Sequence, residues 1–177
     1  MKKYGFYLIM TLAAIFTGTS CGDDKEDHLE QWMVANQLAF NAVKANPEYK
    51  ELRSPGNEGS IYYKVITKGE GTDPIYYTST ITCYYKGWFV ADYPQYGITN
   101  GLIFQERLFD NSTPVSFAIN DSGLRKGWKT ALQHMVKGDK WEIWIPYQLG
   151  YGRDKSGNIP GYSTLVFEIE VVTVDGK

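Results

Sequence analysis

The chain has 177 residues, enough for one hydrophobic core with some decoration, and a formal net charge of -2. Charged residues make up 21% and form no basic run, which argues against nucleic acid as a partner. The 18 glycines and 7 prolines are spread along the chain and suit a β-rich domain with many turns.

The N-terminus reads as a targeting segment. Lys2 and Lys3 precede an apolar run over 4–16, then Thr17-Gly18-Thr19-Ser20-Cys21. A basic start, a short apolar stretch and small residues before a cut site define a secretory signal. The run is shorter than the ~20 residues that span a bilayer. Thr-Ser-Cys followed by Gly22-Asp23-Asp24-Lys25-Glu26-Asp27 resembles a bacterial lipobox, with residues 1–20 as signal peptide and Cys21 as the lipidated residue. An ordinary secretory signal with an incidental Cys21, or an uncleaved anchor, are the alternatives. The acidic run resembles the tethers of surface-exposed lipoproteins in the Bacteroides group; its plain alternative is a solvated linker. The resemblance implies a lipid-anchored protein of the bacterial cell envelope, on the outer membrane, facing periplasm or surface. The only other cysteine is Cys83. With Cys21 acylated no internal disulfide is available, and Cys83 in a strand-like run reads as a small buried hydrophobe.

Residues 27–46 have helical periodicity. Asp27 and Glu30 have capping-box spacing, and Leu29, Trp32, Met33, Ala39, Phe40 and Val43 fall roughly on one face. Pro47 ends the run. This helix either packs on its own domain or pairs with a second copy to give a homodimer. Residues 21–58 are thus read as tether plus helix, and 59–177 as the main domain. Strand signals follow at 61–66, 79–89 and 115–120. A short helix spans 123–135, with Leu124, Trp128, Leu132 and Met135 on one side. Residues 140–145 alternate, and 164–174 form the last strand. Several strands and one short helix predict an α+β domain, an antiparallel sheet wrapped on that helix.

Several separated pieces then occur in a familiar order. They are Tyr84-Tyr85-Lys86-Gly87; Phe109-Asp110-Asn111-Ser112; Leu124-Arg125-Lys126-Gly127-Trp128; Gly150-Tyr151-Gly152; Ile159-Pro160-Gly161; and a strand carrying Phe167. From about Gly59 to Val174 this order resembles the FKBP-type peptidyl-prolyl cis–trans isomerases. The resemblance implies an apolar proline pocket whose walls are Tyr85, Phe109, Ile159 and Phe167, with Trp128 as floor. Asp110 supplies a carboxylate, and the Tyr151 hydroxyl reaches a substrate carbonyl. Leu124 and Arg125 open the central helix, where a backbone N–H near Arg125 can bind the substrate chain. Val115 stands where a pocket aromatic is usual and widens one wall. Arg125 replaces an aliphatic residue, Asn158 and Gly161 replace a common Ile and Pro, and Thr113-Pro114 takes the place of a basic residue after the Phe-Asp element. The link over 88–108 is longer than typical, a bulge over the pocket or a partner-binding flap.

Taken singly, these residues have plainer roles. Trp128 and Phe167 suit almost any core, Tyr85 suits an exposed strand face, Asp110 suits a cap or turn, and Tyr151 suits a plain loop. His28 and His134 are isolated, so no metal site is expected, and Gly150-Tyr151-Gly152 lacks the length of a phosphate loop. No cofactor is called for.

An apolar slot suits this chemistry. The X-Pro amide has a rotation barrier of ~18–20 kcal/mol and turns over tens of seconds unaided. Its planar form is the more dipolar, so an apolar site disfavours that ground state relative to the twisted amide. The resemblance implies an isomerase acting on proline-containing polypeptides and assisting the folding of exported proteins. A non-catalytic peptide-binding or chaperone module on the same fold is one competing reading. A glycan-binding surface lipoprotein, using the many exposed-capable aromatics, is the other.

Overall fold

The computed structural model describes residues 23–108 and 113–176. Cys21, Phe109 and Asp110 lie outside the described residues. Helix α1 (Asp23–Ala45) is followed by strands β1 (Lys50–Arg53), β2 (Ser60–Thr67), β3 (Thr80–Phe89), β4 (Ile103–Arg107) and β5 (Val115–Ala118). Helix α2 (Lys126–Leu132), β6 (Lys140–Ile145) and β7 (Leu165–Asp175) complete the chain. The strands form one antiparallel sheet in the order β1-β2-β6-β7-β3-β4, with β5 also on β3. This is the anticipated α+β architecture.

Alternation decides which face each strand buries. In β3, Ile81, Cys83, Tyr85, Gly87 and Phe89 are buried while their neighbours are half-exposed. Trp141, Ile143 and Ile145 of β6 and Leu165, Phe167, Ile169 and Val171 of β7 join them in the core. Helix α2 lies against this face and buries Gly127, Trp128, Thr130, Ala131 and Leu132. Gly127 permits the close approach, since a Cβ there would come within 2.5 Å of Ile145 Cγ2. The helix is shorter than the 123–135 periodicity suggests. Asp121 Oδ1 accepts the Gly123 N–H at 2.8 Å, so the segment before Arg125 is a turn.

Two edge strands carry no clear pattern in the sequence. β1 reads Lys-Glu-Leu-Arg and pairs with β2 from Lys50↔Tyr63 to Arg53↔Ser60, so the sheet begins before residue 59. β4 lies in the long 88–108 link and pairs with the second half of β3, while β5 pairs with the first half. The rest of the link folds away as a second hairpin. Phe89 and Gly101 close it, Tyr93 and Ile98 exchange backbone hydrogen bonds, and Pro94–Tyr96 forms a 3-10 turn.

That hairpin meets α1. Trp32, 1% exposed, stacks on Tyr93 at 5.0 Å and sets its edge against Phe89 at 6.1 Å. Trp32 Nε1 donates to the Gly161 carbonyl at 2.9 Å. One turn on, buried Asn36 accepts the Thr164 N–H at 2.8 Å, and Phe40 packs on Tyr62. α1 therefore docks on its own domain through Trp32, Asn36, Phe40 and Val43. Leu29 is 36% exposed and lies off that face, and Asp27 and Glu30 sit inside a helix already formed at Asp23, so they do not cap its start.

Candidate functional site

The inner face of β3, β5 and β7 opens, beside the start of α2, into a cavity of about 170 Å³. Trp128 stands at its base. Its ring receives Tyr85 at 5.2 Å and 86°, Phe167 at 5.2 Å and 82°, and Phe117 at 5.5 Å and 62°. These near-perpendicular contacts match the quadrupoles of the rings and hold three walls in fixed relation to the floor. Gly87 makes the arrangement possible: a Cβ there would lie 2.5 Å from Phe167 Cε1 and 2.7 Å from Phe104 Cζ.

Tyr151 reaches the rim from the β6–β7 connection. Pro146 starts a 3-10 turn over Tyr147–Leu149. The chain then reverses at Gly152, whose φ of +85° favours glycine and whose N–H donates to Tyr147 O at 2.9 Å. The returning loop is pinned by the Tyr162 N–H on Gly152 O. Tyr151 is half-buried and carries the Arg125 guanidinium 4.9 Å above its ring. Arg125 is the N-cap of α2, with extended backbone, and its Nε donates to Gly123 O at 3.0 Å. Burial pushes the Tyr85 phenol above its ordinary value, the Arg107 charge opposing, so its hydroxyl is a proton donor at neutral pH.

Of the residues anticipated for the pocket, Tyr85, Leu124, Arg125, Trp128, Tyr151 and Phe167 line this one cavity. Ile159 and Val115 do not line it. Ile159 is buried in the core at the end of a tight turn that it closes by exchanging hydrogen bonds with Ser156. Val115 pairs with Cys83 at the start of β5 and packs against the core. The aromatic on that strand is Phe117, two residues further along the same face, and alternation from Val115 points to it. Gln105, Asp121 and Gly123 also line the cavity. Gln105 arrives on the unanticipated β4, and no apolar pattern marks it. The 88–108 link thus contributes a wall through Gln105, while its long loop grips Trp32.

Gly161 has a structural role. A side chain at Gly161 would collide with the Arg153 carbonyl, and the Gly161 carbonyl is the acceptor for Trp32. Among the described residues there is no group of His, Cys, Asp and Glu able to hold a metal. Cys83 is fully buried, and desolvation pushes its thiol up to about 12.

An antiparallel sheet around one short helix, with an aromatic slot between them, is the arrangement that the resemblance in the sequence implies. Comparison with known proteins agrees. Residues 75–172 match the family described as FKBP-type peptidyl-prolyl cis-trans isomerase. The chain is 34% identical over 118 residues to the FKBP-type 22 kDa peptidyl-prolyl cis-trans isomerase of Escherichia coli, covering 66% of this chain and 51% of that one. It is 33% identical over 171 residues to a probable FKBP-type peptidyl-prolyl cis-trans isomerase of Haemophilus influenzae, covering 88% and 66%. The crystal structure of a peptidyl-prolyl cis-trans isomerase from Pseudomonas syringae superposes with a TM-score of 0.65 at 30% identity, covering 83% of this chain and 96% of that one. The chain therefore belongs to the FKBP-type peptidyl-prolyl cis-trans isomerase family. It spans about half to two thirds of the length of these two curated relatives.

Proposed function

We propose that this protein is a peptidyl-prolyl cis–trans isomerase that rotates X-Pro bonds in exported polypeptides, held at the cell envelope by a lipid on Cys21. The observation that carries the catalytic reading is the slot floored by Trp128 and walled by Tyr85, Phe117 and Phe167, with Tyr151 at its rim. A pyrrolidine ring seated there buries apolar area worth ~25 cal/mol per Å². The same apolar surroundings favour the less dipolar twisted amide over the planar one. The Tyr151 hydroxyl holds a flanking carbonyl while the bond turns, and tighter contact with the twisted form is what accelerates rotation. Asp110, by resemblance, adds a carboxylate to the wall. Rotation makes and breaks no covalent bond, so no nucleophile is needed.

The test is a cis–trans assay on an Ala-Leu-Pro-Phe peptide with the purified full chain in detergent. Acceleration over the uncatalysed rate is expected. Tyr151→Phe should lower kcat/KM by about two- to tenfold, the range for one hydrogen bond of 0.5–1.5 kcal/mol. A wild-type rate equal to the uncatalysed control, from a folded chain, would sink the catalytic reading and leave a peptide-binding module. The envelope reading rests on the order of Lys2-Lys3, the apolar run and Cys21. Labelled palmitate should enter the wild type and not Cys21→Ser; incorporation in both would refute the anchor.

A further inference from the structure

We infer that the slot selects prolines flanked by an acidic residue, and that Arg125 is the residue that reads the carboxylate. This inference rests on the proline-slot reading and names the substrate class for it. Arg125 lines the cavity half-buried, alongside five aromatic residues and Gln105, Asp121, Gly123 and Leu124. Its orientation is set from two sides, by Nε on the Gly123 carbonyl and by the Tyr151 ring beneath the guanidinium. Among the described residues, the end of the fork has no hydrogen-bond or ion-pair partner. Lys126, the next residue, pairs with Glu58 instead. Among the described residues no carboxylate pairs with Arg125. Asp121 shares the cavity, but its Oδ1 is engaged by the Gly123 N–H.

The described lining thus sets the Arg125 guanidinium beside an aromatic floor, with Asp121 also on the lining and held by the Gly123 N–H. A leucine or phenylalanine beside the proline leaves Arg125 as it is. A glutamate or aspartate gives a guanidinium the planar two-oxygen acceptor that matches its parallel N–H groups. Because Arg125 is already held by Gly123 and Tyr151, little rotamer freedom is lost on pairing.

The test uses the full chain in detergent and two peptide panels, Ala-X-Pro-Phe and Ala-Pro-X-Phe, with X as Glu, Gln, Leu or Lys. Both kcat/KM and the peptide dissociation constant, from tryptophan fluorescence, are measured. Glu should exceed its isostere Gln by about two- to fivefold in at least one panel, as for a partly exposed ion pair. The ratio should shrink toward one at ~1 M salt, where the Debye length is only ~3 Å. Arg125→Lys should keep part of it and Arg125→Met should abolish it. A Glu/Gln ratio of one in both panels overturns the inference, as does a ratio that survives unchanged in Arg125→Met or in high salt. If no peptide is accelerated yet Glu is still bound over Gln, the catalytic reading falls and the acidic preference stands.

Discussion

Replacing Trp32 by alanine tests whether α1 is an integral part of the fold. A buried aromatic of this size covers 150–250 Å², which at ~25 cal/mol per Å² is worth roughly 4–6 kcal/mol. That figure uses an extended unfolded chain and is an upper bound; tryptophan-to-alanine changes in cores cost about 3–5 kcal/mol. The hydrogen bond to the buried Gly161 carbonyl is lost with it, which sets the cost toward the upper part of that range. The expected cost is therefore about 3–5 kcal/mol, a large share of the 5–15 kcal/mol that holds a domain together. Urea denaturation followed by fluorescence reads it as a fall in midpoint with little change in slope. Leu38→Ala is the control: the same helix, 63% exposed, expected within about 0.5 kcal/mol of wild type. A Trp32→Ala cost below about 1 kcal/mol, or one equal to that of Leu38→Ala, would refute docking of α1 on this domain.

Three further outcomes are expected. Gly87→Ala drives a methyl into Phe167 and Phe104 and should cost about 1–3 kcal/mol by overpacking; peptide affinity should fall with it, because Phe167 abuts Trp128, and unchanged thermal stability would contradict the packing. For Glu168, burial acts to raise the carboxyl, but the hydrogen bond and charge of Lys140, with Lys86 beside them, outweigh it and hold it below the usual carboxylate range. A carboxyl lowered in the folded state adds stability that is present above its unfolded pKa and lost as pH falls through the folded value; Glu168→Gln should flatten that acid limb in a pH series of urea midpoints, and an unaltered limb would count against it. With its thiol pushed up to about 12 by burial, Cys83 in a Cys21→Ser chain should ignore a thiol reagent at pH 8 until the protein is unfolded; labelling of the native state at the rate of a free thiol would contradict its burial.

What was legible in the sequence follows the strength of local pattern. The alternation in β3, β6 and β7 and the face of α2 mark the strands and helix that carry Tyr85, Phe167 and Trp128. β1 and β4 were not legible because edge strands expose polar side chains and take their order from backbone pairing with β2 and β3. Gln105 was hidden for the same reason. Phe117 was within reach, since it shares a face with Val115, but the pocket role was attached to the wrong member of the pair. Asn36 was invisible to a search for apolar periodicity. It is a polar residue on the buried face of α1, kept there by the Thr164 N–H and by its own Nδ2 on the Trp32 carbonyl.

These contacts also account for the glycine at 161 in the loop bearing Tyr151. The loop leaves β6 at Pro146 and enters β7 after Thr164, and α1 holds its returning end at two backbone atoms, the Gly161 carbonyl and the Thr164 N–H. Between them Tyr162 adopts φ +60°, a left-handed conformation costly for a tyrosine, and its N–H ties back to Gly152 beside Tyr151. Such a conformation persists only where surrounding contacts over-determine it, and here they come from α1 on one side and Gly152 on the other. Glycine at 161 is what lets the Arg153 backbone fit beneath the carbonyl that Trp32 grips. The position of the Tyr151 hydroxyl, and of the arginine stacked on its ring, therefore depends on a helix that lies outside the matched region at 75–172.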